Sequence, residues 1–429
     1  MKKEVLIIGG GFAGIQLARH LDKSLFKVTL IDKINHHQFQ PLFYQVATSQ
    51  IEPSSISFPL RHIFKGNSGV QVRLCEVTHI HTIQKCVTTN SGGFKYDFLV
   101  LANGCSTNFF GNTAIVNHVF TLKSTADAIG LRNHILEVFE SSLAVDEYQR
   151  LGLMNLVIVG AGPTGVELAG AFAEIKKEIL PKDYPGIKFS DFTIYLVEGS
   201  ANTLNAMSHQ AKSASADYLC KMGVELVTNT FVKNYDGEVI TLSNGQTLPT
   251  KTVIWAAGVS GNRLQGLEAA EWTTANRVIV DRFNAIKGVE NVYAVGDIAC
   301  MYTPKYPKGH PQLANVAINQ SKTLAKNLKR SLQNVPQLEY EYKDLGSMAT
   351  IGRNKAVVDL PFLHFKGYMA WLVWMFLHLM LILSVRNKLI IFINWAWAYI
   401  TRNSSLRLIL RPSDNRVSAS QQDKFKGTK

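Results

Sequence analysis

Residues 4–32 read EVLIIGGGFAGIQLARHLDKSLFKVTLID, and this stretch decides the fold. A short apolar run, Glu4–Ile8, leads into three glycines in GxGxxG spacing and then into a helical pattern over Ile15–Leu21. A second apolar run, Val28–Ile31, ends at Asp32, 23 residues after Gly9. This order predicts a β-strand, a glycine-rich turn, a helix and a second buried strand.

Each glycine of this loop has a separate physical task. Gly9 permits the tight turn, Gly11 lets the backbone approach a pyrophosphate, and Gly14 lets the helix pack closely on the strand. The N–H groups and the dipole at the helix start favour bound phosphate. Asp32 stands where an acidic residue holds a ribose hydroxyl, so the stretch predicts a dinucleotide site.

The same pattern occurs a second time in the chain. Leu156–Val159 is a β-run, Gly160, Gly162 and Gly165 repeat the spacing, Val166–Ile175 reads as a helix, and the strand Thr193–Val197 is closed by Glu198. The longer interval before Glu198 contains residues 178–191, EILPKDYPGIKFSD, which read as a surface insertion. An acid at the ribose position, with no arginine between Glu198 and Arg263, favours NADH over NADPH.

Two further segments resemble strand ends that deliver polar groups. Residues 96–108 read YDFLVLANGCSTN and residues 292–299 read VYAVGDIA. Ordinary turns after β-strands have the same composition, so each segment alone is ambiguous. Beside two dinucleotide motifs, we expect both segments to converge on the first site.

Composition narrows the class of protein. The chain has 429 residues, of which 46% are apolar and 18% charged, which excludes a disordered or fibrous protein. Five scattered cysteines without a CxxC pair argue against a disulfide framework, a zinc ribbon and a redox-active dithiol, and we predict no metal site. Only four apolar residues, Val5–Ile8, precede the first glycines, too few for a signal peptide, so we expect a cytoplasmic protein.

The C-terminal region combines apolar and basic residues. Residues 368–385 read YMAWLVWMFLHLMLILSV, and LIIFINWAWAYIT follows at 389–401. Residues 386–429 carry nine Lys or Arg against two acids, whereas the whole chain has a net charge of +13. A basic region beside apolar tryptophan-rich runs favours an anionic lipid surface over nucleic acid. We expect monotopic attachment; a spanning helix and a buried helix pair are the alternatives.

Together these motifs resemble the flavoproteins with two dinucleotide-binding domains. GGGFAG with Asp32, LANG at 101–104, AGPTGVELAG at 161–170 and VGD at 295–297 follow that family's order. Within it, the chain resembles the type II NADH:quinone oxidoreductases through HHQFQPLFYQVAT at 36–48, PQLANVAINQSKTLAKNL at 311–328 and the segment 346–401. Asn315 and Asn319 stand where many relatives have Gln, which leaves their roles uncertain, whereas Gln320 is retained.

The resemblance implies an α/β fold with two Rossmann-like domains of the glutathione-reductase type and a C-terminal helical segment that associates with the membrane. The expected division is an FAD-binding domain in two parts, 1–112 and 266–335, an NADH-binding domain at 113–265, a quinone- and membrane-binding region at 336–412, and a disordered basic tail at 413–429.

The resemblance also implies the site residues. FAD would be held by Gly9, Gly11, Phe12, Ala13, Gly14, Asp32, Lys33, Gln45, Ala47, Val77, Ala102, Gly104, Gly296, Asp297 and Ala314. NADH would be held by Gly160, Gly162, Gly165, Glu198, Ala257 and Gly258. The catalytic candidates are Glu167, Gln320 and Asn319, the last two as hydrogen-bond donors to a quinone in a tunnel between their helix and the aromatic C-terminal segment.

Alternative interpretations exist for these candidates. Glu167 could simply be a first-turn glutamate favoured by the helix dipole, and Gln320 and Asn319 could lie on an ordinary helix surface. His378 on an apolar helix is more typical of a satisfied histidine than of a catalyst, so we leave it out of the site.

The expected activity is hydride transfer from NADH to FAD and then two-electron reduction of menaquinone or ubiquinone, without proton pumping. We expect a homodimer, peripheral on the cytoplasmic face of the cell membrane, with no nucleic-acid partner. A sulfide:quinone oxidoreductase, a soluble ferredoxin or rubredoxin reductase and a non-catalytic NADH sensor are the competing functions. Only Cys105 and Cys300 lie beside flavin motifs, which disfavours the first of these.

Overall fold

The first part of the chain builds most of one parallel sheet. The computed structural model describes residues 1–66, 69–403 and 406–410. Its first elements are β1 Lys3–Ile8, α1 Phe12–His20, β2 Phe26–Asp32, β3 His36–Gln38, α2 Phe43–Ala47, β4 Ser57–Pro59, α3 Leu60–Ile63, β5 Val70–Leu74, β6 Val77–His81, β7 Cys86–Thr89, β8 Gly92–Lys95, β9 Phe98–Leu101 and β10 Cys105–Thr107.

The middle of the chain builds the second parallel sheet. Its elements are α4 Thr125–Ser142, α5 Glu147–Leu153, β11 Asn155–Val159, α6 Pro163–Glu178, α7 Leu180–Asp183, β12 Thr193–Val197, α8 His209–Lys221, β13 Val224–Val227, β14 Val232–Tyr235, β15 Val239–Leu242, β16 Thr247–Pro249, β17 Thr252–Trp255 and β18 Val259–Gly261.

The last part returns to the first sheet and then forms the C-terminal region. Its elements are β19 Val278–Val280, β20 Val292–Ala294, β21 Ala299–Met301, α9 Ala314–Leu332, β22 Ser347–Gly352, β23 Lys355–Leu360, β24 Leu363–Lys366, α10 Tyr368–Leu381 and α11 Val385–Thr401.

The two parallel sheets have related strand orders, β20-β9-β1-β2-β5 and β13-β12-β11-β17. In each sheet the strand that precedes a glycine loop lies inside the sheet, so that its residues are almost completely buried. Parallel strands place their carboxyl ends at the same edge, and both loops therefore open at a strand edge where ligands bind in such folds. The predicted fold class is confirmed.

The strands β22, β23 and β24 form an antiparallel sheet that supports the C-terminal helices. α10 packs on β23 and β24, and α6 packs on β22 at Gly170, where an added Cβ would lie 1.7 Å from the carbonyl oxygen of Ile351. The C-terminal region is therefore joined to the second Rossmann-like domain through α6. The predicted domain boundaries stay a prediction.

One detail of the sequence-based interpretation needs correction. The insertion at 178–191 is not purely a surface feature, because Leu180, Tyr184, Ile187 and Phe189 are buried in the core. The ring centroids of Phe189 and of Phe139 on α4 are 5.7 Å apart. The apolar residues that flank the Pro and Gly positions bury this insertion against α4. The predicted disordered tail at 413–429 lies outside the described residues.

The C-terminal helices are not a buried pair. α10 buries only Ala370 and Trp374, and α11 buries only Asn387, Ile391 and Trp395. The break at residues 382–384 divides the apolar stretch into two helices. Within the described ranges, none of the helices has the length and apolar character required to cross a bilayer.

Candidate functional site

The two glycine loops have the same backbone geometry at their first glycine. Gly9 has φ of +109°, and a Cβ there would lie 2.3 Å from the carbonyl oxygen of Ala102. Gly160 has φ of +98°, and a Cβ there would lie 2.8 Å from the Cα of Ala257. Both positions therefore require glycine, for the turn and for the close approach of the neighbouring strand end.

The other two glycines also repeat their roles. A Cβ on Gly14 would lie 1.8 Å from the Gly9 carbonyl oxygen, and one on Gly165 equally close to that of Gly160. By contrast, nothing lies within 4 Å of a Cβ added to Gly11 or to Gly162, which are the N-cap residues of α1 and α6. Open space in front of a helix N-terminus fits a pyrophosphate, so both loops fit a dinucleotide.

The acidic residue after each loop is tied to the loop backbone. Asp32 accepts hydrogen bonds from the N–H of Gly10 at 2.5 Å and of Ile34 at 2.8 Å. Glu198 accepts from Ala161 at 2.7 Å and from Ser200 at 2.8 Å. Each carboxylate oxygen thus receives one N–H and keeps a lone pair for a ribose hydroxyl. Burial raises the pKa of Asp32, against the effect of these hydrogen bonds.

The two closing segments do meet at the first glycine loop. The N–H of Ala102 donates to Ile8 and the N–H of Val295 donates to Leu101, so β20, β9 and β1 end side by side. Gly296 has φ of +75°, and a Cβ there would lie 3.2 Å from that of Ala13. This placement brings Ala102, Gly296 and Ala13 together at the first loop.

The remaining residues that are predicted to contact FAD differ in their location and in their exposure to solvent. Gly104 has a positive φ with open space before it, Phe12 contacts the rings of His37 and Phe39, and Ala314 begins α9. Lys33 is exposed and Val77 is half-buried at the start of β6. No finding tests their individual roles, which stay predictions.

The loops of the two domains are joined where both sites open. β10 pairs with β18, and the side-chain amides of Asn103 and Asn262 each donate to the other residue's carbonyl oxygen at 2.6 Å and 2.7 Å. Gly258, also expected to face NADH, accepts a hydrogen bond from the N–H of Asn108. Asn262 could not be identified from the sequence, because its partner lies 159 residues away.

A cavity of about 410 Å³ lies between α2, α6, β22 and the C-terminal helices. Its lining includes the aromatic residues Tyr44, Trp371, Trp374, Trp395 and Tyr399 and the basic residues Lys177, Arg353, Lys355 and Arg402. A chamber of this size with an aromatic wall fits a small molecule, although half of its lining residues are polar or charged. Sequence reasoning expected an aromatic wall from the C-terminal segment but missed Tyr44.

Glu167 lies in the wall of this cavity and is buried. Burial raises the pKa of the Glu167 carboxyl to about 8, although the backbone of Thr350 and the side chain of Trp374 favour its charged form. The alternative interpretation of Glu167 as a first-turn glutamate is wrong, because α6 begins at Pro163 and has no acidic residue in its first turn. Near neutral pH, Glu167 is a carboxylic acid that can donate a proton.

Gln45 and Ala47, both expected to contact FAD, lie in α2. The side chain of Gln45 lines the cavity and is held between Tyr44 and Trp395 by hydrogen bonds of 2.8 Å. Ala47 is buried beside a much smaller pocket next to Arg132. The side chain of Gln45 is therefore held by hydrogen bonds to Tyr44 and Trp395, which the sequence pattern did not predict.

α9, which carries Gln320 and Asn319, does not line this cavity. It packs against α1, and none of its residues lines the 410 Å³ cavity. Gln320 is buried, and its Oε1 accepts a hydrogen bond of 2.8 Å from the N–H of Gly296, so it holds the VGD loop. Asn319 is half-buried on the same helix. The expected tunnel wall of α9 and the aromatic segment is therefore not the wall of this cavity.

Cys105 and His378 both have hydrogen-bond partners within the protein. The Cys105 thiol donates to Asp297 at 3.2 Å, and burial together with that carboxylate raises its pKa to about 12. His378 stacks on Trp374 and its Nδ1 donates to the Trp374 carbonyl oxygen, as expected for a satisfied histidine. The described residues contain no cluster of His, Cys, Asp or Glu suited to a metal ion.

Comparison with known proteins agrees with this geometry. The family model for pyridine nucleotide-disulphide oxidoreductases matches residues 3–321, and the NDH2 C-terminal domain model matches residues 345–403. The type II NADH:quinone oxidoreductase Ndh of Mycobacterium tuberculosis is 33% identical over 425 residues, which cover 95% of this chain and 90% of the relative. The enzyme of the same name from Staphylococcus aureus is 29% identical, over 83% and 89% of the two chains.

Solved structures show the same fold. NDH2 of Plasmodium falciparum in complex with NADH has a TM-score of 0.86 at 20% identity, over 96% of this chain and 100% of that one. The sulfide:quinone oxidoreductase of Aquifex aeolicus has a TM-score of 0.71 at 21% identity, over 94% and 96%. With its two dinucleotide loops, its C-terminal domain and these full-length relatives, the chain belongs to the type II NADH:quinone oxidoreductases.

Proposed function

We propose that this protein is a respiratory flavoenzyme that catalyses NADH + H⁺ + quinone → NAD⁺ + quinol. The observation that carries this proposal is the combination of two dinucleotide loops, joined at their open edges, with a separate aromatic cavity that contains a buried acid. Such an enzyme carries electrons from one substrate to another and pumps no protons.

The first loop would hold FAD and the second NADH. FAD, when bound, accepts a hydride from NADH and passes two electrons to the quinone. The chain's own residues position both cofactors: Asp32 and Glu198 offer lone pairs to ribose hydroxyls, and Gly11 and Gly162 leave room for phosphates. The Asn103 and Asn262 amides fix the two domains where the cofactors' reactive ends must meet.

The aromatic cavity is the proposed site of the quinone head group. It is adjacent to Glu167, and its walls are supplied by the C-terminal helices that also present exposed apolar side chains. A quinol has two more protons than its quinone, so a neutral acid in this wall has a chemical task. Below about pH 8, Glu167 is protonated and can supply one of them.

We infer peripheral membrane attachment through α10 and α11. α11 buries Asn387, Ile391 and Trp395 on one face, while Leu389, Ile393 and Ile400 on the other are 58%, 61% and 78% exposed. When a helix is apolar on both faces, the face that does not pack on its own protein is expected to be covered by lipid or by another protein. The basic Arg386 is exposed at the start of the same helix, which favours an anionic lipid surface, on the cytoplasmic side.

A homodimer formed through the C-terminal region is the remaining part of the proposal. A second copy and a bilayer would both cover apolar side chains, so the two are separated by measuring the molar mass in detergent and in its absence. A dimer that persists in detergent while vesicle binding also persists supports both parts. A monomer under all conditions contradicts the homodimer.

The direct test follows the visible absorbance of the flavin. Addition of NADH should bleach it, and subsequent addition of menaquinone or ubiquinone should restore it. Bleaching without restoration would contradict quinone reduction, and no bleaching would favour a non-catalytic NADH sensor. Bleaching by sulfide would favour a sulfide:quinone oxidoreductase. Such an enzyme needs a reactive thiolate, whereas the raised pKa of Cys105 keeps this thiol protonated.

A further inference from the structure

A chain of three side chains leads from α11 to the cavity wall. The indole Nε1 of Trp395 donates to Oε1 of Gln45 at 2.8 Å, and Nε2 of Gln45 donates to the hydroxyl oxygen of Tyr44 at 2.8 Å. All three residues are at least nine-tenths buried and all three line the 410 Å³ cavity. The family motifs assigned only Gln45 of these to a site, and to the flavin.

The direction of this chain is fixed by chemistry. An indole nitrogen can only donate, so the atom of Gln45 that faces Trp395 must be the carbonyl oxygen. The amide nitrogen of Gln45 must then face Tyr44, where it donates and the hydroxyl oxygen accepts. The hydroxyl hydrogen of Tyr44 is thereby directed away from Gln45, and among the described residues no acceptor for it is recorded.

A buried hydroxyl group without an acceptor is costly, and a ligand with a suitable oxygen would satisfy it. Tyr44 lies in the same wall as Glu167, close enough for the charge of that carboxylate, when ionised, to disfavour tyrosinate. Burial raises the pKa of Tyr44 well above its ordinary value, so the hydroxyl stays a donor. The quinone carbonyl oxygen is an acceptor of the required kind.

We propose that Tyr44 donates its hydroxyl hydrogen to a quinone carbonyl oxygen in this cavity, and that Gln45 and Trp395 are positioning residues that fix its direction. This proposal rests on the proposed function, because it assigns a contact within the proposed quinone site. It also links the cavity to α11, whose opposite face is the proposed membrane surface. No proton leaves Tyr44; the hydrogen bond orients the substrate and polarises its carbonyl group.

The test compares Tyr44→Phe, Trp395→Phe and the double variant in the FAD-loaded enzyme. Loss of one hydrogen bond, about 0.5 to 1.5 kcal/mol, should raise the quinone KM of Tyr44→Phe roughly 3- to 10-fold. Trp395→Phe removes the donor that orients the Gln45 side-chain amide, so this amide can flip. The quinone KM of this variant should therefore rise less than that of Tyr44→Phe. Because Trp395 acts through Tyr44, the double variant should be no worse than Tyr44→Phe alone.

Controls separate this contact from general damage. The rate of flavin bleaching by NADH and the rate with ferricyanide should stay unchanged in all three variants. Tyr340→Phe removes a buried tyrosine hydroxyl in another core cluster and should leave the quinone KM unchanged. An unchanged quinone KM in Tyr44→Phe would overturn the proposal, and additive effects in the double variant would overturn the positioning role of Trp395.

A second variant covers the case in which Tyr44→Phe loses FAD. In Gln45→Glu, a carboxylate accepts from both the Trp395 indole and the Tyr44 hydroxyl, so the hydroxyl hydrogen is captured and the quinone KM should rise similarly. An unchanged KM in this variant would contradict the proposal. Failure of the proposed function itself is distinguishable, because the unmodified enzyme would then bleach with NADH and not recover with quinone.

Discussion

Among single residues, Glu167 is the one whose ionisation governs the expected chemistry. Its pKa of about 8 keeps it a neutral acid at neutral pH. We expect quinone reduction to fall as the pH rises through about 8, because the proton-carrying form is lost. Glu167→Gln should lower the rate by a factor on the order of 100 and abolish this dependence, as measured by steady-state quinone reduction.

Stability gives an independent measure of the same ionisation. Between the ordinary pKa of 4.5 and about 8, the unfolded chain releases a proton that the folded chain keeps. The wild type should therefore lose stability relative to Glu167→Gln as the pH rises across this window. Parallel melting curves with equal pH dependence, together with unchanged rates, would leave Glu167 without a role in proton transfer.

Glu198 is the residue that should decide which nicotinamide cofactor binds. Its carboxylate would repel the 2′-phosphate of NADPH and accept hydrogen bonds from the ribose of NADH. Glu198→Ala should weaken NADH binding and reduce the preference over NADPH, as measured by titration of flavin bleaching. FAD content should stay near that of the wild type, since Glu198 binds only the second loop. Full retention of the preference would remove Glu198 from the site.

The position of both glycine loops between a strand and a helix could be predicted from the sequence, because the residues of each loop are close together in the chain. The Tyr44, Gln45 and Trp395 chain was not predictable, since Trp395 lies 350 residues from Gln45. Gln320 illustrates the opposite case. Its position on α9 was expected, but whether its amide faced a quinone or the backbone of Gly296 depended on how α9 packs on α1.

Among the elements, α6 makes close backbone contacts at two of its glycines, Gly165 and Gly170. It begins at Pro163 rather than at the predicted Val166, because proline is favoured in a first helical turn. Its early glycines offer a matched pair of substitutions. Gly162 has φ of −70° and open space, whereas Gly165 touches the backbone of Gly160. Alanine is sterically allowed at the first position and excluded at the second.

We expect Gly162→Ala to fold and bind FAD but to raise the NADH KM roughly 10-fold, because its methyl group occupies the phosphate space. Gly165→Ala should instead destabilise the domain by about 3 kcal/mol, since α6 must move away from β11. Melting temperature and NADH titration distinguish the two. Equal loss of stability in both variants would contradict the assignment of Gly162 to phosphate binding.

At the scale of the whole molecule, the first sheet joins residues separated by almost 200 positions along the chain, as the pairing of β20 with β9 shows. The sequence predicted this return from the VGD segment. It could not predict that α10 and α11 would line a cavity, because the sequence pattern indicated a lipid-facing surface and did not show which apolar residues face the protein. On α11, the buried residues Ile391 and Trp395 alternate with exposed neighbours, and this difference in exposure distinguishes the side that faces the core from the side that does not.

The proposed attachment to lipid can be tested without removing the C-terminal helices, whose Trp374 and Trp395 belong to the core. Substitution of Leu389, Ile393 and Ile400 by serine changes only the exposed face of α11. We expect the variant to sediment poorly with anionic vesicles and to reduce long-chain quinones in vesicles more slowly. Reduction of ferricyanide and of a short-chain, water-soluble quinone should be unaffected, because the cofactor sites and the cavity are intact.

Charge provides the second half of the same test. Arg402 and Arg407 form ion pairs with Glu178 and Asp183, so their reversal would also disturb the fold. Arg386 is exposed beside the apolar face, and Arg386→Glu should weaken binding to anionic vesicles while leaving binding to neutral vesicles nearly unchanged. Undiminished sedimentation of both variants with anionic vesicles would contradict a lipid surface, and a change in molar mass in solution would assign this face to a second copy of the chain.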